Sequence, residues 1–251
     1  MNTLKCKIMK EYRIFDSIYS AEVKVEDGTF PNDVGISMAT TKVNSIVSYQ
    51  VISKKDRLVR LFYQSSNKSP FIELTFNSDN QLSMPNPLKK FLLFLDESSL
   101  IVSLALIRYL STKSINCYVY FLTDMNNEDH KSLYFQDILG ERFSRISPSH
   151  EEIKQILHSQ EIGTRLFLLG KWSTVDDIEK IANDIGFTNE EIDKHGVGEK
   201  TDHIFCAKCY QFNLKQDPLQ EEATCSHCQT KLDVSNHFSK RLNAYLGYIH
   251  V

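Results

Sequence analysis

The sequence predicts an α/β protein in three parts: a β-rich N-terminal part, a doubly wound parallel sheet, and a small C-terminal zinc-ribbon or rubredoxin-like tail. Three observations carry this. Residues 45–76 are rich in β-branched and aromatic residues interrupted by turn signals. Residues 90–185 alternate short apolar runs with stretches of helical spacing. Continuous apolar strands separated by helices mean a parallel sheet covered on both faces. Two Cys-x-x-Cys pairs follow near the C-terminus. The expected division is 1–87, 88–195 and 196–251.

In the first part, strands are expected at 45–53, 58–64 and 71–76, within a set of about five short strands. Asp27-Gly28 is a turn signal. Residues 65–70 and 77–80 read as hairpin connections, and Met84-Pro85-Asn86-Pro87 as a linker. The segment is short for a full barrel.

In the second part, strands are expected at 90–95, 115–122 and 165–169, with a short one at 145–147, making about four. Helices are expected at 100–110, 128–139, 150–160 and 174–184. Ser149 caps the third, and Glu152 completes a capping box. Ser173 caps the fourth, Asp176 and Asp177 lie in its first turn, and Gly186 ends it. Glu151 and Glu152 read likewise as helix-start acids. Gly196-Val197-Gly198 is the expected joint to the third part.

With 251 residues and 29.0 kDa, 41% hydrophobic and 24% charged residues, the chain can bury a core. A net charge of -3 argues against a dedicated nucleic-acid binder, which needs surplus Lys and Arg to displace counterions. The longest apolar stretches, 91–95 and 100–107, are far short of the ~20 residues that cross a bilayer. No apolar segment follows the basic start, so no secretory signal is expected and the protein is placed in the cytoplasm. There thiols stay reduced, and the six cysteines read as ligands, nucleophiles or core residues.

Cys206-Ala207-Lys208-Cys209 and Cys225-Ser226-His227-Cys228 are two knuckles separated by 15 residues. A two-residue spacer lets both sulfurs of a knuckle reach one ion, and two knuckles supply the four soft ligands of a tetrahedral site. Zinc or iron satisfies this set. Zinc, favoured by the abundance of structural zinc sites, would be structural; iron would be a one-electron carrier. His227 reads as a solvated knuckle residue. Cys6 and Cys117 lack partners at ligand spacing, and Cys117 reads as core. From 199 to 251 there are six Lys/Arg and six Asp/Glu, so the ribbon has no basic surplus for nucleic acid and suits protein docking or electron transfer. The spacing of Phe238, Leu242, Tyr245 and Leu246 predicts a C-terminal helix.

Lys90-Phe-Leu-Leu-Phe-Leu with the helix after it, and Arg165-Leu-Phe-Leu-Leu-Gly170-Lys-Trp172-Ser173 with the helix ending Ile185-Gly186-Phe187, resemble the nicotinamide-nucleotide domain of ferredoxin reductases. The resemblance implies that Gly170, Trp172 and Ser173 lie near a bound nicotinamide. The sequence departs from that family at the first loop. There a glycine-rich turn lets backbone amides approach the pyrophosphate, and here Asp96-Glu97-Ser98-Ser99 puts two carboxylates in its place. The family's flavin-binding strand is of Arg-x-Tyr-Ser type, and Ser48-Tyr49 and Phe62-Tyr63 are only the nearest aromatic pairs, which read as sheet packing. NAD(P)H and flavin are therefore both doubtful.

The second knuckle followed by Asn236-His237-Phe238-Ser239-Lys240-Arg241-Leu-Asn-Ala244-Tyr245-Leu246-Gly247 resembles the end of the A subunit family of bacterial dimethylamine monooxygenases. That resemblance implies a subunit of an NADPH-dependent complex that oxidatively N-demethylates secondary amines, partnered by the other monooxygenase subunits. The chain would serve in electron transfer or assembly. Two other functions stay open: a self-contained NAD(P)H-dependent reductase, and a non-enzymatic zinc-ribbon adaptor. No catalytic nucleophile, paired carboxylate or His/Asp constellation stands out.

Overall fold

The structure is a computed structural model. It describes residues 2–28, 36–41, 46–64, 71–76, 90–112, 115–123, 130–198, 200, 202–217, 219–239 and 242–250. They fall into two compact units, Met1–Val197 and Gly198–Val251. The expected connections at 65–70 and 77–80, the linker at 84–87 and the helix start at 128–129 lie outside the described residues.

The first unit begins with β1 (Asn2–Phe15), β2 (Ile18–Asp27), β3 (Ile36–Thr41), β4 (Ile46–Ser53), β5 (Leu58–Gln64) and β6 (Phe71–Phe76). These close into a barrel in the order β1-β2-β5-β4-β3-β6. β1 pairs with both β2 and β6, so closure leaves no open sheet edge. The expectation of a segment too short for a barrel is thus corrected. The missing length lies in β1 and β2, where apolar Leu4 and Cys6 alternate with exposed Lys5 and Lys7 in the period-2 pattern of a half-buried strand. Cys6, Ala21, Val23, Val25, Tyr49, Val59 and Leu61 fill the interior.

The parallel sheet follows: β7 (Lys90–Asp96), α1 (Leu100–Thr112), β8 (Cys117–Leu122), α2 (His130–Leu139), β9 (Phe143–Ile146), α3 (His150–His158), β10 (Thr164–Lys171), α4 (Trp172–Ile185) and β11 (Ile192–Val197). The order is β11-β10-β7-β8-β9, all parallel. Phe91, Leu93 and Leu95 face α1 and α2, while Leu92 and Phe94 face α3 and α4. Both faces are covered, which is why β7 is apolar at every interior position.

α1 is apolar nearly all round: Leu100, Val102, Leu104, Ala105, Leu106, Ile107 and Leu110 are buried. It lies between the sheet and the barrel, packing with Phe15, Ile18 and Phe62 as well as with β7. Ser48 on β4 donates to the Ile101 carbonyl, and Gln50 Nε2 donates to Thr112 Oγ1 at 3.4 Å.

Three local expectations change. β11 is a fifth strand that was not expected, and it takes in Gly196 and Val197, the first two residues of the expected joint. α4 starts at Trp172, and its N-cap Lys171 makes no side-chain cap bond, so Ser173 is a first-turn residue and Asp176 and Asp177 sit beyond that turn. Glu152 reaches back to the Ser147 N–H rather than to Ser149, while Ser149 accepts from the Glu152 N–H as expected. Gly186 ends α4 at φ 114, the left-handed geometry that favours glycine.

The second unit holds β12 (His203–Cys206), β13 (Phe212–Leu214), β14 (Glu222–Thr224), β15 (Lys231–Ser239) and β16 (Ala244–Ile249), in the order β13-β12-β16-β15-β14. The predicted C-terminal helix is corrected: β15 and β16 form an antiparallel hairpin. Phe238 and Tyr245 are cross-strand partners, their rings 5.2 Å apart and edge to face. Gly247 sits where β16 passes closest to its neighbours; a Cβ there would lie 2.8 Å from Ile204 Cγ2.

Candidate functional site

The two knuckles are built alike. In the first, the Cys206 N–H donates to the Gln211 carbonyl and the Tyr210 N–H to the Cys206 carbonyl, both at 2.9 Å. In the second, the Cys225 N–H donates to the Thr230 carbonyl and the Gln229 N–H to the Cys225 carbonyl, again at 2.9 Å. Each turn closes through one left-handed residue, Tyr210 at φ 60 and Gln229 at φ 58. The repeated geometry directs both sulfurs of each knuckle inward.

The Sγ atoms of Cys206, Cys209, Cys225 and Cys228 all lie within 4.8 Å of one another. Cys206 and Cys228 are 3.8 Å apart, Cys209 and Cys225 3.5 Å. Disulfide sulfurs are ~2.05 Å apart, and four sulfurs bound to one ion at ~2.3 Å would be ~3.8 Å apart at tetrahedral angles. The donor set therefore fits a thiophilic ion, zinc or iron. Cys206 and Cys225 are buried with Ile204, Leu232 and Val234; Cys209 and Cys228 are half-buried. His227 is exposed and contributes no atom to the cluster.

Polar neighbours support the sulfurs. Asn213 is buried; its Nδ2 donates to Cys225 Sγ at 3.5 Å, and its Oδ1 accepts from the Ser226 N–H at 2.7 Å and the Ser226 hydroxyl at 2.9 Å. Burial raises the Cys225 thiol, but the N–H groups of Cys228 and His227, with Asn213, outweigh it and bring it down to about 6. The Thr230 hydroxyl and N–H lower Cys228. Such donors favour the thiolate that binds metal. Asn213 and Thr230 were missed from the sequence, because one Asn four residues after a knuckle carries no spacing rule. Burial pushes Cys6 and Cys117 up to about 12, as for unreactive core thiols.

The other candidate lies at the C-terminal edge of the parallel sheet. Strand order reverses between β7 and β10 there, and open α/β sheets bind their ligands at that reversal. Asp96 ends β7 and caps the Glu97–Ser99 turn. Its Oδ1 accepts from the Ser98 N–H at 2.9 Å and the Ser98 hydroxyl at 2.6 Å, and its Oδ2 from the Lys171 N–H at 2.9 Å. Gly170 lies against this carboxylate; a Cβ there would be 2.6 Å from Asp96 Oδ2. Glu97 pairs with Lys131. Trp172 rests on Gly196 of β11, whose Cβ would be 2.1 Å from the indole ring. Ser173 is exposed in the first turn of α4. Gly170, Trp172 and Ser173 thus share one sheet edge. On the barrel, Tyr49 is buried inside, while Ser48 and Gln50 bond to α1.

Residues 203–248 match the family model described as dimethylamine monooxygenase subunit DmmA-like, C-terminal domain. Over 91 residues the chain is 33% identical to the heme-dependent oxidative N-demethylase delta subunit of Ectopseudomonas mendocina (strain ymp), a stretch covering 36% of this chain and 51% of that protein. The chain thus spans about half the length of the curated relative it matches. The FAD/NAD-binding domain of nitric oxide dioxygenase from Vibrio cholerae O1 biovar El Tor superposes with a TM-score of 0.56 at 8% identity, over 79% of this chain and 100% of that one. The ferredoxin reductase in carbazole 1,9a-dioxygenase gives 0.55 at 10% identity, over 78% and 67%. At such identities the likeness concerns fold alone. The reductase-like fold and the resemblance of the tail, both expected from the sequence, are borne out.

Proposed function

We propose that this chain is an electron-transfer subunit of an oxygenase complex that oxidatively N-demethylates an amine such as dimethylamine. Its working group would be a metal ion held by Cys206, Cys209, Cys225 and Cys228. The observation that carries this is the convergence of four sulfurs within 4.8 Å, inside the segment that matches the monooxygenase subunit domain. Iron bound there supplies a one-electron couple. The chain's own residues orient the sulfurs, through Asn213 and the knuckle amides, and keep Cys209 and Cys228 near the surface of the ribbon. In this reading the partners are the other oxygenase subunits, and a reducing cytoplasm keeps the thiols free. No described helix is long and apolar enough to cross a membrane. Segments 1–87, 88–195 and 196–251 then act as barrel, reductase-like scaffold and metal ribbon.

A second reading, zinc with a docking role, is favoured by the small core of the ribbon. Among the described residues, two of the five buried side chains in its core cluster are the cysteines Cys206 and Cys225, so an ion would be structural whatever its redox chemistry. Co-expression with candidate oxygenase subunits, followed by metal analysis and visible spectroscopy, separates the two. Iron with a thiolate charge-transfer band supports electron transfer. Colourless zinc in a stable complex ends it and leaves docking.

A further inference from the structure

We infer that the nucleotide crevice of the parallel sheet is closed from within, the Asp96 carboxylate standing where a dinucleotide phosphate would bind, so that this fold carries no NAD(P)H here. A dinucleotide needs free backbone N–H groups at the point where strand order reverses, and a glycine that lets the phosphate come close. Both features are present and both are used internally. The N–H groups of Ser98 and Lys171, one beyond the end of β7 and one at the end of β10, already donate to the two oxygens of Asp96 at 2.9 Å. The close approach that Gly170 permits is taken by the same carboxylate, 2.6 Å from where a Cβ would stand.

An incoming phosphate would have to displace an anion tethered to its own strand, whose effective concentration is high at every moment. If it did not displace it, two negative groups would share the same donors in a partly desolvated place, which electrostatics opposes. The adjoining surface is also occupied. The indole of Trp172 lies against Gly196 on β11, and Glu97 is paired with Lys131. A self-contained reductase drawing hydride from a nucleotide at this edge does not fit these residues.

Trp172 is the only tryptophan, and its emission reports on this edge of the first unit alone. The full-length protein is titrated with NADPH and NADH, followed by this emission and by calorimetry. We expect no saturable change up to millimolar nucleotide. Asp96→Ala removes the acceptor of three hydrogen bonds and should then melt lower, by about 2–4 °C for each hydrogen bond's worth of net stability lost in a unit of this size. Inorganic pyrophosphate should restore that loss with rising concentration, while leaving the unaltered protein unmoved. Should Asp96→Ala fail to fold, Asp96→Asn, which keeps an acceptor oxygen, takes the same test. Saturable binding of either nucleotide by the unaltered protein overturns the inference. So does pyrophosphate stabilising the unaltered protein as much as the variant, or failing to stabilise any Asp96 variant. None of these outcomes depends on which metal the ribbon holds, so metal analysis and this titration fail independently.

Discussion

The ribbon and the sheet edge are both places where their architectures commonly hold a non-protein group, and the chain treats them in opposite ways. In the ribbon, four sulfurs face one another, and Asn213, Thr230 and the second knuckle's amides help Cys225 and Cys228 toward the thiolate form. At the sheet edge, two N–H groups converge and the chain supplies its own anion to them. The difference teaches that an inherited shape is a weak guide to ligand chemistry, and that the partners of its polar groups are the stronger one.

The contrast breaks most visibly at a cysteine. Cys225→Ser should abolish stoichiometric metal and unprotect the amides of β12 to β16 in hydrogen exchange, since a structural ion contributes on the order of 10 kcal/mol to a small ribbon. The same change should leave the Trp172 melting transition in place. A ribbon that stays protected without metal would remove the ion from the account. Gly170→Ala is the matching strike at the sheet edge. Its methyl would press on Asp96 Oδ2, and overpacking of this kind costs about 1–3 kcal/mol. Urea unfolding followed by Trp172 emission measures it, and an unchanged midpoint would mean the carboxylate is not held there.

Asn213→Ala sharpens the ribbon side. It removes the Cys225 and Ser226 bonds while leaving all four ligands, and partners of this kind change metal retention about 10–100-fold. Metal transfer to a competing chelator should quicken by that factor, and Asn213→Asp, which keeps the Ser226 contacts but sets a carboxylate oxygen in place of the donor to Cys225, should quicken it at least as much. The smallest effect concerns His250, raised by its hydrogen bond and charge interaction with Asp233. A raised value means the pair stabilises fully below pH 6.5 and is lost as pH climbs through the folded-state value. Both groups are about half exposed, so the slope should be shallow, and Asp233→Asn should return the His250 titration toward pH 6.5 by NMR.

The parts of the fold that could be read from the sequence are those where burial is two-sided. β7 and β10 are apolar at nearly every interior residue. The cysteine pairs were equally plain, because ligand spacing is a property of the chain alone. What could not be read depended on neighbours. β11, Ile-Asp-Lys-His-Gly-Val, is an edge strand whose Asp193 and Lys194 pair with Arg165 and Glu179, so it lacks an apolar run. The β1–β2 hairpin alternates Lys with apolar residues, a pattern that is weak until closure buries one face. The C-terminal hairpin mimicked a helix because Phe238 and Tyr245, seven apart in sequence, are brought opposite each other by a turn through Asn243 at φ 48. The carboxylate at Asp96 was legible as an obstacle, but its bond to the Lys171 N–H, 75 residues away, was not.

The placement of α1 sets how the first unit comes apart. The helix is a shared wall: one flank completes the sheet and the other closes over the barrel, and it has almost no side suited to water. Melting either neighbour strands the helix against solvent, so the two should go together, in one sharp transition rather than two. An excised barrel or an excised sheet would each expose a greasy seam and should clump when made alone.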